Sequence, residues 1–464
     1  MGKTQLNDMT TGKPLGILTR FAVPLMLGNT LQFFYTIADS AVVGRLIGVE
    51  AFAAVGAAGL YYWLGVSVVL GLTQGFGVLF AQRFGARDEG GLKQAFAAAA
   101  VLSLLGGLLF SLLAALSVEP VLKLLNTPLN ILEDAKLYLH ILLGGLLLSF
   151  VYNLFCAVLR ALGDSKTPFY AMILSSILNI LLDIAFVKFF SLRVAGVALA
   201  TLIAQITAWA FCFLKICAIP QLRGMARYMS PARDNLETAR ELIRLGGPMA
   251  FRNFVISLGG MALQYVINGF GAVFIAGIAA AWKMYSLLEI VGAAFEGAVA
   301  VFVSQNFGAG CFDRIAACLK NARRVLIGAS CVIAPLILIF GRRLLGVLMS
   351  GESAEQALNI GHNQLAAMAL TLPSLFMLFI YRAALQGMGS AFVPMMSGFI
   401  ELFMRVVCIA LLPIFFNEWG VYAADVAGWP IAAIYLYINF RILYKKLSAS
   451  GADTGGPGRA YSTP

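Results

Sequence analysis

Apolar runs of about 20 to 30 residues follow one another along this chain with little between them, and no other feature restricts the fold as tightly. At 1.5 Å of rise per residue, each run is long enough to cross a hydrocarbon layer about 30 Å thick as a helix. Only 12% of the residues are charged and 60% are hydrophobic, whereas soluble domains carry roughly a quarter charged residues. The chain reads as an all-α integral membrane protein with about twelve transmembrane helices.

The predicted spans are 17–44, 51–82, 92–117, 131–161, 167–190, 193–219, 241–270, 274–305, 318–340, 357–387, 391–416 and 419–445. The one long polar joint, from Pro220 to Arg244, divides them six and six. The expected organisation is an amino-terminal six-helix lobe over 1–225, an inter-lobe loop over 226–244, a carboxy-terminal six-helix lobe over 245–446 and a disordered tail over 447–464.

Basic residues crowd every second loop: Lys3, Lys13 and Arg20, then Arg83, Arg87 and Lys93, then Arg160 and Lys166, then Arg223, Arg227 and Arg233, then Arg314, Lys320, Arg323 and Arg324, and finally Arg441, Lys445 and Lys446. The positive-inside rule places these loops and both termini in the cytoplasm of a cell-membrane protein. The net charge of +11 is thereby accounted for by anionic inner-leaflet lipid, and no nucleic-acid partner is implied. The seven cysteines lack a CxxC pair or a histidine-supported metal spacing, so they read as small core residues.

The two halves repeat. "LTRFAVPLMLGN" returns as "LIRLGGPMAFRN", pairing Pro24 with Pro248 at an offset of 224 residues. "AQRFGA" returns as "SQNFGAG", and "LRALGDSKTP" as "LQGMGSAFVP", pairing Gly163 with Gly389 and Pro168 with Pro394 at an offset of 226. Six crossings return the chain to its starting side, so the two bundles should share orientation about a pseudo-twofold along the membrane normal. Two such bundles suit transport by alternating access.

Polar groups inside the spans then mark the working residues. A carboxylate near the bilayer centre costs about 2.5–3.5 kcal/mol on insertion scales, so one that is kept faces a partner or a cavity. Asp39 interrupts the first span, and the fifth carries Asn179 and Asp183 in "SSILNILLDIAF", one turn apart on one face. With Thr201 in the sixth span, all lie roughly 8–12 Å below the outer surface, counted along the helices. Two carboxyls in a dry cavity favour holding a proton between them, while the same oxygens with the Asn179 amide and the Thr201 hydroxyl suit a hard cation such as sodium. Both coupling ions stay open.

Pro24, about four turns from Asp39, lets the first helix bend, and neutralising Asp39 should change how often it does so. Under the repeat offsets Asp39 meets Leu263, Asn179 meets Arg405 and Asp183 meets Ile409, which confines this site to one half. The second half offers Glu289 and Glu296, Asp425, and Glu401 with Arg405 at i,i+4, the last two expected as a structural pair. Glu289 and Asp425 are candidate contacts for a cation or a cationic substrate. Phe33, Phe34, Tyr35, Tyr61, Tyr62 and Trp63 offer aromatic surface of the kind that takes lipophilic cations.

The stretches "FAVPLMLGNTLQFFYTIADSAVVGRLIGVEAFAAVGAA", "LRALGDSKTPFYAMILSSILNILLD", "VAGVALAT" and "LQGMGSAFVPMMSGFIELFMR" resemble those of the multidrug and toxic compound extrusion family, in particular its bacterial DNA-damage-inducible-type branch. The resemblance runs from about Leu15 to Lys446. It implies a secondary active multidrug exporter, an antiporter of cationic or amphipathic small molecules against inward H+ or Na+, with no cofactor and working as a monomer. The family's cation site falls on Asp39, Asn179, Asp183 and Thr201, and Tyr138 matches a fourth-helix tyrosine. Alternatives are a lipid-linked precursor flippase of the same superfamily, which should line its cavity with arginine, and a major-facilitator-type transporter. An enzyme would need convergent catalytic groups, and a channel a continuous pore. The chain points to neither.

Overall fold

The computed structural model describes residues 7–125, 127–224, 228, 233–347 and 354–453. Among them every regular element is helical, as hydrocarbon demands of a chain that must satisfy its own backbone. Lys3 and Arg227 of the basic loops, and residues 454–464 of the tail, lie outside the described residues.

The first repeat comprises α1 (Pro14–Val42), continued by a π-turn over Val43–Ile47, then α2 (Val49–Gly85), α3 (Glu89–Leu116), the short α4 (Val118–Leu124), α5 (Leu129–Gly144), α6 (Leu146–Ala161), α7 (Lys166–Lys188) and α8 (Arg193–Cys217). The second comprises α9 (Arg233–Asn268), α10 (Ala272–Gly308), α11 (Phe312–Gly346), α12 (Ala354–Gly387), α13 (Phe392–Phe416), α14 (Glu418–Val426) and α15 (Gly428–Asp453). Eleven of these helical stretches are long and apolar enough to cross a membrane, and α5 with α6, bent by 43° at Gly145, make a twelfth.

Two boundaries differ from the sequence reading. Half of the central joint is helical, because Thr238, Leu242, Leu245 and Met249 recur at helical spacing and are buried along one face of α9. The last helix also runs on to Asp453 rather than stopping at 446. Of the cysteines, Cys156, Cys212 and Cys318 are buried, whereas Cys217 and Cys331 are exposed on helix surfaces.

The repeat is visible in the backbone. Gly163 and Gly389, which the offset pairs, both adopt φ of +83°, a left-handed turn that a side chain would strain. The compact units cut across both repeats near a proline: one unit holds Met1–Asp8 with Val23–Ala250, the other Met9–Ala22 with Phe251–Pro464. The divisions in α1 and α9 therefore fall beside Pro24 and Pro248.

Within the first unit, α2 meets the start of α9 along small residues. A Cβ on Gly75 would lie 2.3 Å from Gly246 Cα, and one on Gly71 would lie 2.4 Å from Ala250 Cα. The Gly71/Gly75 and Gly246/Ala250 spacing brings the two backbones together, as small residues four apart do inside membranes. Gly75→Ala should cost about 1–3 kcal/mol through overpacking, read as a clear drop in the thermal midpoint of the purified protein. Gly106→Ala, whose Cβ would have no neighbour within 4 Å, should leave that midpoint unchanged.

Candidate ion and substrate sites

In the first unit three helices each contribute an i,i+4 polar pair: Tyr35 and Asp39 from α1, Asn179 and Asp183 from α7, Thr201 and Gln205 from α8. That spacing puts both members of each pair on one face. Asp183 and Asn179 are 0% and 1% exposed, and Asp39 is half-buried. The Asp39 and Asp183 carboxyls lie within hydrogen-bonding reach of each other.

With its amide oriented to satisfy both neighbours, Asn179 donates from Nδ2 to Asp183 Oδ2 at 2.9 Å and accepts from the Thr201 backbone N–H at 3.2 Å. The Thr201 hydroxyl donates to Val197 O at 3.0 Å and is within reach of the Tyr35 hydroxyl. Asp39 Oδ1 and Asp183 Oδ1 are buried and receive no hydrogen bond from any described donor. Two carboxyl groups this close repel one another when both are ionised, a repulsion that a proton or a metal cation would offset.

Tyr138, buried on α5, stands within electrostatic range of Asp39, Tyr62, Tyr35 and Asp183. Tyr62 extends the polar patch, since Gln205 Nε2 donates to its hydroxyl at 3.4 Å and Ser149 Oγ donates to Gln205 Oε1 at 3.0 Å. Tyr35 and Tyr62 thus take part through their hydroxyls, whereas Phe34 and Trp63 are exposed. The i,i+4 placement of Tyr35 beside Asp39 and of Gln205 beside Thr201 was the signal for this wider site.

The second unit differs. Leu263 and Ile409, which stand where the first repeat has Asp39 and Asp183, belong to one apolar cluster. Glu401 and Arg405 do not pair with each other, although they are one turn apart. Glu401 instead takes Arg382 Nη2 of α12 at 2.5 Å, while Arg405 Nη2 reaches Asp425 Oδ1 of α14 at 3.5 Å. The two side chains face different neighbours of α13, and each finds a closer opposite charge there. Asp425 also accepts from Trp282 Nε1 at 2.9 Å and Gln364 Nε2 at 2.8 Å, so its charge is spent inside the unit rather than offered to a cation. Glu289 remains half-buried with no ion pair among the described residues, and Glu296, Arg382 and Glu401 are its charged surroundings. The sequence reading passed over Arg252 and Arg382, although a guanidinium inside an apolar run carries the same signal as a carboxylate.

The MatE family model matches residues 24–185 and 248–438, most of the chain and both repeats. The chain belongs to the MATE family. It is 27% identical over 450 residues to a probable multidrug resistance protein of Bacillus subtilis, YoeA, covering 92% of this chain and 94% of the relative. It is 24% identical over 346 residues to DNA damage-inducible protein F of Escherichia coli, covering 73% and 74%. Crystal structures of a MATE in bent and in straight conformations each superpose with a TM-score of 0.87 at 22% identity, covering 97% of this chain and 100% of theirs. Fold and family are therefore those of the MATE multidrug efflux transporters. The protein is a transporter and not an enzyme, and the major-facilitator alternative falls away.

Asp425→Asn leaves Arg405 as a buried cation without its counter-charge, which costs about 3–5 kcal/mol. A large fall in thermal midpoint is expected for this MATE variant. Glu289→Gln, which breaks no ion pair, should melt within a degree or two of the wild type.

Proposed function

We propose that this MATE protein exports cationic or amphipathic small molecules in exchange for protons, with Asp39 and Asp183 as the coupling pair. The observation that carries the reading is the contact between these two carboxyls, each with a buried oxygen that lacks a donor. A proton fits there without rearrangement. Sodium is served less well, because Asn179 turns its nitrogen toward Asp183 and commits its oxygen to the Thr201 N–H. The oxygens then left for a cation are those of Asp39, Asp183 and the Thr201 and Tyr35 hydroxyls.

Coupling requires that occupancy of this pair change the shape of the protein. Pro24 removes the N–H that Arg20 C=O would receive in a regular helix, so α1 has a weak point between its first turns and Asp39. The bent and straight crystal forms of a MATE support reading that point as a hinge. Loading the pair from the outside would favour one form of α1. Arrival of a cationic substrate would favour release of the proton on the other side, since both cations are served by one set of carboxyls. The basic loops support a cytoplasmic-membrane protein with both flanking segments inside, and the acidic character of the pair favours export of cations over a flippase acting on anionic precursors.

In proteoliposomes, ethidium efflux should follow an imposed proton gradient and ignore an imposed sodium gradient at equal pH. Asp39→Asn and Asp183→Asn should each lower the proton-driven rate by tenfold or more, a loss of at least about 1.4 kcal/mol. Efflux driven by sodium alone would move the assignment to the metal cation, and efflux indifferent to both variants would remove the pair from the mechanism.

A further inference from the structure

The second unit holds a cluster that the coupling reading leaves unused. Arg252 of α9, Arg382 and Gln386 of α12, and Glu296 and Glu401 of α10 and α13 lie inside the apolar spans. Arg252, Arg382 and Gln386 are 4%, 5% and 4% exposed. Arg382 is paired through Nη2 with Glu401 at 2.5 Å, and Arg252 donates through Nε and Nη2 to the neutral Asn253 Oδ1 at 3.2 and 2.8 Å.

Three donors are left over: Arg252 Nη1, Arg382 Nε and Gln386 Nε2 are buried with no acceptor among the described residues. Arg382 and Gln386 are one turn apart on α12 and so share a face. Buried guanidinium and amide N–H groups are almost always satisfied, and leaving them bare is costly. The chain also makes room for this cationic side: a Cβ on Gly398 would sit 2.7 Å from Arg252 Cγ, so α13 is hollowed where the arginine stem passes. On the acidic side, Glu296 is the counter-charge of Arg252 and Arg382 at a distance, without a hydrogen bond to either, and Glu289 lies two turns along the same helix.

We propose that this cluster binds the charged end of an amphipathic zwitterion. Its carboxylate or phosphate oxygens accept from Arg252, Arg382 and Gln386, and its cationic group is held by Glu289 and Glu296. Arg382 is answered by Glu401, which leaves Arg252 on one side and Glu289 and Glu296 on the other, so a zwitterion meets both sides where a bare anion or a bare cation meets only one. The site is separate from the Asp39–Asp183 pair and is tested without any gradient, so failure of the coupling reading leaves it standing.

The test compares rhodamine B, a zwitterion with a free carboxylate, with its ethyl ester, which keeps the cation and loses the anion. Fluorescence anisotropy with the purified full-length protein in dodecyl maltoside reads both affinities. Wild type should prefer rhodamine B. Arg252→Gln should weaken it about tenfold or more, as loss of a buried charge partner does, and change the ester less than about twofold, which also shows that the variant is folded. Glu289→Gln should weaken both dyes. Gln386→Leu removes a bare donor without touching charge and should weaken rhodamine B alone, by about threefold, on the scale of one neutral hydrogen bond. Equal loss of both dyes in Arg252→Gln, or unchanged rhodamine B binding in Gln386→Leu, would overturn the site and leave an internal ion-pair network. Competition by short-chain phosphatidylcholine that depends on Arg252 would support the site and name a lipid headgroup as its occupant; absence of competition would assign it to a free solute.

Discussion

The hydrocarbon layer solvates charge poorly, and a charge kept there must be compensated by the protein or surrendered to a proton. The two units of this MATE protein resolve that constraint in different ways. In the first, Asp39 and Asp183 face each other with no cationic side chain paired to them among the described residues, and Asn179 supplies a neutral donor to Asp183. In the second, two carboxylates are answered by guanidinium: Glu401 by Arg382, and Asp425 by Arg405. A pair that lacks a resident cation is open to take one from its surroundings, which is the coupling role proposed for it. A pair that owns its cation is not.

The repeat makes the contrast sharper, because the backbone is common to both halves. At the offset that relates Gly163 to Gly389, with identical left-handed turns, Asn179 becomes Arg405 and Asp183 becomes Ile409. One frame thus carries a pair of facing carboxyls in one copy. In the other it carries a fixed Arg405–Asp425 tie across α13 and α14, with an apolar cluster around Leu263 and Ile409. Duplication supplies the architecture, and on the proposed coupling reading divergence of a few side chains decides which copy exchanges ions.

Much of this was legible in the sequence. Long apolar runs determine spans, since hydrocarbon admits few other solutions, and twelve of them with an internal repeat lead to the two-bundle plan. Asp39, Asn179, Asp183 and Thr201 could be grouped because depth along a helix follows from counting residues. The second half resisted for a physical reason. Counting along one helix finds i,i+4 neighbours such as Glu401 and Arg405, but rotation about the helix axis against α12 and α14 decides which neighbour each side chain meets, and that is set by tertiary packing. The helical start of α9 was obscured by its polar residues, although Leu242, Leu245 and Met249 carried the buried stripe. Arg252 and Arg382 were missed because basic residues were read as loop markers.

On the coupling reading, Asp39 and Asp183 hold one exchangeable proton between them. The most direct measurement is proton release into unbuffered solution, read with a pH-indicator dye, when a saturating lipophilic cation is added to the purified protein. The account predicts release of about one proton per transporter from the wild type and none from Asp39→Asn. Equal release from wild type and variant, or binding of the cation with no proton released, would contradict it.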